Sequence, residues 1–292
     1  MSARVTIGLC VKNNEKTVRN SINSIINQKY PTELVQVTIV DGCSRDNTLS
    51  IIANATAETN MKVEVFSDEG KGLGSARQMV VNSANGKYII YVDGDVTLFD
   101  DFIKEHVDFM EENQNVGVAF GRVMFQEEKT LVPTIVSLFD YAHGGAGMGN
   151  DATVYRTETM RQTGGFDINF KGAAEDRDLI VRIRTKGWLA STNKKARFFH
   201  THIESLSEFW REQTWFGYGS HYFSHKSKNA DPAWLVIPMR YLIYTLRIAR
   251  KAYKLTLRKV SFLIPLQMGL GNISRWFGFI KANAEGYGHH VE

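Results

Sequence analysis

The 292-residue sequence holds only two cysteines, Cys10 and Cys43, and they form no metal-ligand pattern. Each sits near the end of a strand-like apolar run, which reads as two buried free thiols in a reducing compartment rather than a disulfide. No uninterrupted apolar stretch reaches the roughly 18 residues needed to span a bilayer. Arg4 to Val11 already reads as a first strand, so no secretory leader is expected. There is no internal repeat and no low-complexity tract. The most telling absence is acidic: from Pro232 to Ala284 there is no Asp or Glu. Residues 232–292 carry a net charge of +7 and residues 1–231 carry −3, so the overall +4 conceals two regions with different roles. No nucleic-acid-binding motif accompanies the basic region. A hydrophobic content of 43% with 23% charged residues describes a globular chain.

Strand and helix signals alternate up to about residue 120, the pattern of a parallel sheet with crossover helices. Strands are expected near 4–11, 34–40, 61–66, 88–92 and 116–124. Helices are expected near 15–28, 47–58, 74–84 and 101–112. The first helix carries Val18, Ile22, Ile25 and Ile26 on one stripe and stops at Tyr30-Pro31. The second half is less regular. Residues 126–150 read as loops facing an acceptor, and Gly144, Gly145, Gly147 and Gly149 let the backbone approach a ligand. A helix over 175–186 opens on acidic residues that suit its dipole, and a strand covers about 196–199.

Chemistry concentrates at strand ends. Tyr88 to Val92 is a buried apolar run, and Asp93-Gly94-Asp95 follows it directly. Carboxylates two residues apart are hard oxygen ligands for Mg²⁺ or Mn²⁺, and ligands of open α/β sheets gather at the carboxyl ends of the strands. An isolated acidic pair is as readily a turn or a helix cap. Here it stands in an ordered series: Asn14-Glu15, Asp41-Gly42-Cys43-Ser44-Arg45-Asp46-Asn47-Thr48, Asp93-Gly94-Asp95, Gly164-Gly165-Phe166-Asp167 and Glu175-Asp176-Arg177-Asp178-Leu179.

That series resembles the family 2 inverting glycosyltransferases over about residues 4–223. The resemblance implies a GT-A fold: an α/β, Rossmann-like mixed sheet flanked by helices, here with a C-terminal amphipathic helical region. It implies that Glu15 and Asp41 hold the nucleoside of a sugar nucleotide, with Arg77 nearby, and that Asp93 and Asp95 bind the diphosphate through Mn²⁺ or Mg²⁺. Asp95 is expected to touch the metal directly, and Asp93 to touch the ribose or the metal. Asp176 is expected to be the catalytic base, with Glu175 positioning the acceptor, because an acceptor hydroxyl is a poor nucleophile until its proton is taken. Relatives often carry a histidine near the metal. His200 and His202 are two apart, as on one face of a strand, and His202 is the expected ligand. Trp210 to Gly219 occupies the place of the Gln-x-x-Arg-Trp motif of processive relatives. No Arg-Trp follows Gln213, and the stretch is closer to a "Tyr-Gly" version in succinoglycan-type enzymes that add single sugars. Trp210 and Trp215 suit either acceptor stacking or core packing.

In the tail, Arg240, Arg247, Lys251, Lys254 and Arg258 fall in one arc at helical spacing, and Pro238 and Pro265 read as breaks between short helices. This is the composition of helices lying in a membrane surface, with Trp234, Trp276 and Phe277 as headgroup-level anchors. The expected division is a catalytic domain over 1–228 and a basic membrane-associating region over 229–292, contacting the membrane through 232–284. The expected protein works at the cytoplasmic face of a membrane, peripheral or monotopic. It moves one sugar from a nucleotide-diphosphate sugar, UDP-linked before GDP-linked, to a hydroxyl of a lipid-linked or membrane-associated glycan, with no nucleic-acid partner. Two alternatives stay open. A polyisoprenyl-phosphate sugar synthase needs no base and so has no use for Glu175-Asp176. A non-catalytic nucleotide-sugar-binding scaffold has no need of the full acidic set. Donor sugar, acceptor, linkage and oligomeric state are not legible.

Overall fold

In a computed structural model of the chain, β1 (Val5–Val11), β2 (Val35–Asp41) and β4 (Tyr88–Asp93) are mostly apolar strands buried on both faces. β4 is continuously apolar, as suits a strand covered on both sides, whereas β1 and β2 bury Thr6, Gln36 and Thr38 between their apolar residues, with Thr6 bonded to Gln36. The structure describes residues 4–57, 59–144, 149, 151–227 and 238–290, with 238–240 by backbone alone. Trp234, Gly145, Gly147 and the Arg240 side chain, singled out above, lie outside the described residues. The chain divides into two compact units, one of residues 1–124, 145–169 and 176–201, the other of 125–144, 170–175 and 202–292.

The first unit is built on an eight-stranded sheet in the order β3-β2-β1-β4-β7-β6-β8-β5, with β3 spanning Lys62–Ser67, β5 Val96–Leu98, β6 Val116–Val123, β7 Ala152–Arg156 and β8 Leu189–His200. β3, β2, β1 and β4 run parallel. β7 is antiparallel to both β4 and β6. Helices α1 (Val18–Ile26), α2 (Thr48–Thr56), α3 (Leu73–Ser83) and α4 (Phe102–Glu112) follow the expected positions within a few residues. β7 and the short helix α6 (Thr157–Thr163) were not expected, and β8 runs well upstream of the predicted 196–199. A register shift between Phe120 and Arg122 admits extra β8 residues opposite β6, and this Asn193-Lys194-Lys195 stretch hides the strand.

Inside this unit His106, on α4, is fully buried, stands edge-on to Phe102, and has its pKa lowered to about 3 by burial. Its folded pKa lies below its unfolded one, so the unfolded chain takes up the proton first and stability falls as pH drops below about 6.5. At pH 5 this one residue is expected to cost about 2 kcal/mol relative to neutral pH. Urea unfolding of His106→Phe across this range should show a flatter acid limb; an unchanged limb would contradict the assignment.

The second unit holds α5 (Leu131–His143), α8 (Leu206–Lys226), α9 (Pro238–Thr256) and α10 (Ile264–Ala284). α5 corrects the reading of 126–150 as loop: Ile135, Leu138 and Ala142 are buried against Ala249, Ala252, Ile264 and Met268. The prolines are also corrected. Pro238 is the first residue of α9 and Pro265 sits in the first turn of α10, so they open helices of 19 and 21 residues instead of breaking short ones. Arg258 leaves the predicted basic arc. It follows the end of α9, where both terminal nitrogens meet the Glu127 carboxylate at 2.5 and 2.6 Å. α8 starts on a capping box, Ser205 with Glu208, and takes its place in this unit by packing on α10. The unit therefore gathers α5 and α8 as well as the tail, and the expected boundary at 228/229 falls within it. Outward positions carry Leu246, Leu257, Phe262, Leu266, Phe277 and Ile280. Among the described residues no helix is long and apolar enough to cross a membrane.

Candidate active site

The parallel register places the first acidic residues. Val11 pairs with Asp41 and Cys10 with Asp93, so both carboxylates emerge at the carboxyl edge of the sheet. The loops that leave this edge are cross-tied. Asn13 N donates to Ser44 Oγ (2.8 Å), Asn14 N to Thr48 Oγ1 (2.8 Å), Glu15 N to Asp46 Oδ2 (3.1 Å) and Arg45 N to Asn13 Oδ1 (2.9 Å). Glu15 is exposed, and its Oε2 accepts from both the backbone and side-chain amides of Asn47. Asp41 is buried. Its Oδ2 accepts from Ser44 N, and its buried Oδ1 has no hydrogen-bond partner among the described residues. A buried carboxylate oxygen in that condition is costly and suits a ligand N–H or hydroxyl. Asp68, which the sequence did not single out, shapes the next loop by accepting from Gly70 N (2.7 Å) and Gly72 N (2.9 Å). Cys43 departs from the expectation of a buried thiol. It is exposed with φ 60°, while Cys10 is buried, and neither is in a disulfide.

The acidic centre comes from three ladders. Asp93 N donates to Asp151 O (3.0 Å), continuing the β4–β7 pairing by one rung. Val96 pairs with His200, and Thr201 N donates to Asp95 O, which sets His200 beside Asp95. Asp95 Oδ2 is 3.4 Å from His200 Nε2, and Asp151 Oδ2 is 3.9 Å from His200 Nδ1. Gly94 lets the turn lie against its neighbours, since a Cβ there would meet Asn14 and Val11 at 3.0 Å. Arg77, on α3, is buried and donates through Nη2 to Asp93 Oδ1 (3.0 Å), so it is no surface ion pair. Loss of hydration raises the pKa of Asp93; Arg77 lowers it and Asp95 adds to the rise. Asp151 is raised for the same first reason, with His200 opposing and Asp93 adding.

Asp176 lies in the first turn of α7 (Glu175–Thr185), is largely buried, and accepts at Oδ1 from Arg177 N (2.7 Å). Burial raises its pKa, Arg77 lowers it, and Asp151 raises it further, so Asp176 senses the charges of the acidic centre. Glu175 is buried and belongs to the second unit, as does His202. β8 ends at His200, so the strand alternation that would put His200 and His202 on one side stops there. His202 Nε2 is 3.6 Å from Asp140 Oδ2, at the end of α5.

The sequence reading missed Asp151 because its partner strand β7 is antiparallel and only pairing reveals its position. Two further motif residues make contacts within the fold. Asp178 holds Arg182 at 2.7 Å, and Arg182 also donates to Thr163 O. Phe166 packs edge-on to Tyr91 and Tyr155. Trp210 is half-buried and lies against the exposed ring of Phe277, with centroids 5.7 Å apart.

Three carboxylates and an imidazole, two of the carboxylates disfavoured as ions, form a donor set that fits a hard divalent cation such as Mn²⁺ or Mg²⁺. Residues 6–162 match the family described as Glycosyl transferase family 2. The chain belongs to that family. The poly(ribitol-phosphate) beta-N-acetylglucosaminyltransferase TarS of Staphylococcus aureus is 29% identical over 103 residues, 35% of this chain and 18% of that protein. The probable glycosyltransferase YdaM of Bacillus subtilis is 23% identical over 235 residues, 75% of this chain and 56% of that protein. The chain thus spans about a fifth to just over half the length of these curated relatives. Among solved structures, the mannosyltransferase PcManGT of Pyrobaculum calidifontis, in complex with GDP-Man and Mn²⁺, aligns with a TM-score of 0.67 at 16% identity, over 98% of this chain and 88% of that one. S. aureus TarS 1-349 aligns with a TM-score of 0.54 at 15% identity, over 97% and 92%. These likenesses confirm the GT-A fold.

Proposed function

We propose that the protein is a metal-dependent inverting glycosyltransferase. It moves one sugar from a nucleotide-diphosphate donor, UDP-linked before GDP-linked, to a hydroxyl of a lipid-linked or membrane-associated glycan. The observation that carries this reading is the convergence of Asp93, Asp95, Asp151 and His200 at the carboxyl edge of the sheet, beside Arg77 and within electrostatic reach of Asp176. In this reading Asp41, whose Oδ1 has no partner among the described residues, and Glu15 hold the nucleoside. Arg77 orients the Asp93 carboxylate, leaving Asp95, Asp151 and His200 as the principal donors. The cation, when bound, neutralises charge developing on the departing diphosphate. Asp176 takes the proton of the acceptor hydroxyl, and the oxygen forms its bond to the anomeric carbon from the face opposite the leaving group. The bond to the diphosphate oxygen breaks, and its electron pair leaves with the nucleotide. Glu175, next in the chain, positions the acceptor.

The tail supports an interfacial location at the cytoplasmic face. Residues 232–284 carry nine basic and no acidic residues, and Trp276 and Phe277 are exposed beside Leu266 and Ile280. Basic and apolar groups together suit anionic headgroups and the acyl boundary.

The test is binding and slow hydrolysis of a panel of UDP- and GDP-sugars with Mn²⁺, with Mg²⁺ and with EDTA. One donor should be selected, and only with metal. Asp95→Asn should weaken that binding by at least roughly 10–100-fold, the scale already seen when a residue supporting a metal ligand is lost. Binding that ignores both EDTA and this substitution would reject the metal-dependent reading.

A further inference from the structure

His221, His225 and His289 are absorbed neither by the fold's main cores nor by the chemistry above. One ligand nitrogen from each lies within 4.8 Å of the others. His221 and His225 are four apart on α8, so they share a helix face, and their ring centroids are 4.4 Å apart. His289 reaches the pair from the turns after α10, with centroids 5.6 and 5.4 Å from theirs.

The hydrogen bonds fix what these rings present. His221 Nδ1 is 2.6 Å from Tyr287 O, and His225 Nδ1 is 3.0 Å from His221 O. A carbonyl oxygen only accepts, so each Nδ1 carries the proton, and each neutral ring offers a lone pair at Nε2. An imidazole anchored in this way through its other nitrogen is the usual outer support of a metal-ligating histidine. His221 Nε2 and His289 Nε2 also converge on one atom, Asn283 Oδ1, at 3.3 and 3.2 Å. His221 is 1% exposed, which fixes one ligand, whereas His289 is exposed and free to adjust.

We propose that His221, His225 and His289 form a second metal site, for a borderline divalent ion of the zinc class, with Asn283 Oδ1 or water in the fourth position. Its all-imidazole donors separate it chemically from the carboxylate centre, which favours Mg²⁺ or Mn²⁺. Ligands at about 2.0–2.1 Å from a tetrahedral ion stand roughly 3.4 Å apart, so a small inward turn of His289 completes the set. Bound ion would tie residues 283–290 to α8 and so act as a clamp on the end of the second unit.

The test uses the full chain carrying Asp95→Asn and His200→Ala, in excess Mg²⁺, so that competition for the added ion from the acidic centre is reduced. Titration with Zn²⁺, and with Co²⁺ for its visible d–d bands, should show one equivalent and a tetrahedral Co²⁺ spectrum. Zn²⁺ should also raise the melting temperature. His289→Ala and His225→Gln should each weaken Zn²⁺ binding by at least about tenfold and abolish the thermal gain, while His290→Ala should do neither. Melting of the metal-free variants checks that they fold; His289 is exposed, so its loss leaves the core untouched. Absence of a stoichiometric site, or equal binding by the His289→Ala and His225→Gln variants, overturns the proposal, as does an equal loss in His290→Ala.

Discussion

Asp176→Asn is expected to slow sugar transfer by roughly 10²–10⁴-fold, the usual worth of a general base, with donor affinity nearly unchanged. The amide has the shape of the carboxylate and can keep the bond from Arg177 N to Oδ1, but it cannot take a proton. The pH profile supplies a second signature. Burial, partly opposed by Arg77, raises the Asp176 pKa above the ordinary carboxylate value of 3.8. The wild-type rate should therefore fall on the acid side at a pH above the normal carboxylate range, and the Asn variant should lack that limb. Stability moves the other way. The folded state holds this proton more tightly than the unfolded chain, so ionised Asp176 costs stability above its raised pKa. The variant should be at least as stable as wild type at neutral pH, which separates lost chemistry from lost fold. A variant that keeps more than a tenth of the wild-type kcat would remove Asp176 from the role of base.

Gly278→Val is expected to destabilise the second unit by at least about 3 kcal/mol, at or beyond the upper end of ordinary overpacking. α8 and α10 approach so closely that a Cβ on Gly278 would lie 1.9 Å from Thr214 O, and one on Gly217 would lie 1.9 Å from Arg275 O. Both obstacles are backbone, so no rotamer change relieves them. The same crossing is bonded through Thr214 Oγ1 and Ser274 Oγ (2.8 Å) and through Arg275 Nε to Gln213 Oε1 (2.8 Å). Gly269 lies in the same helix with nothing within 4 Å of a built Cβ. Gly269→Ala should be stabilising by about 0.5–1 kcal/mol, because a helix-interior glycine loses more backbone freedom on folding. Urea or thermal unfolding of the two variants should give opposite signs. Equal effects would mean that helix propensity, and not the crossing, sets the cost.

This crossing also explains the Trp210 to Gly219 stretch. Gly217 and Gly219 are there because neighbouring backbone leaves no room for a side chain: Arg275 O for one and Ala173 O for the other. A sequence shows two glycines near a tyrosine, but not the helix that returns sixty residues later. Legibility followed that distinction throughout. β1, β2 and β4 were readable because each is a local, mostly apolar run, and Asp41, Asp93 and Asp95 because they close such runs. Asp151 and Asp68 were not, since their roles depend on an antiparallel insertion and on a loop's own amides. The basic spacing of the tail lies within α9 as far as Lys254. It could not reveal that α9 ends before Arg258 or that Glu127 waits for it. Strand periodicity puts His200 and His202 on one side without choosing between them, and it carries no information about where the strand stops.

Cys43 gives the chain a chemical address. It is held at φ 60° between the strand-end carboxylate Asp41 and the cross-tied loop, its thiol 3.8 Å from Ser67 Oγ, while the only other cysteine is buried in β1. A maleimide or nitroxide applied to the native protein is therefore directed to one position, two residues from Asp41 and beside the loops proposed to take the nucleoside. Donor occupancy becomes measurable by fluorescence or spin-label mobility without substituting a single residue.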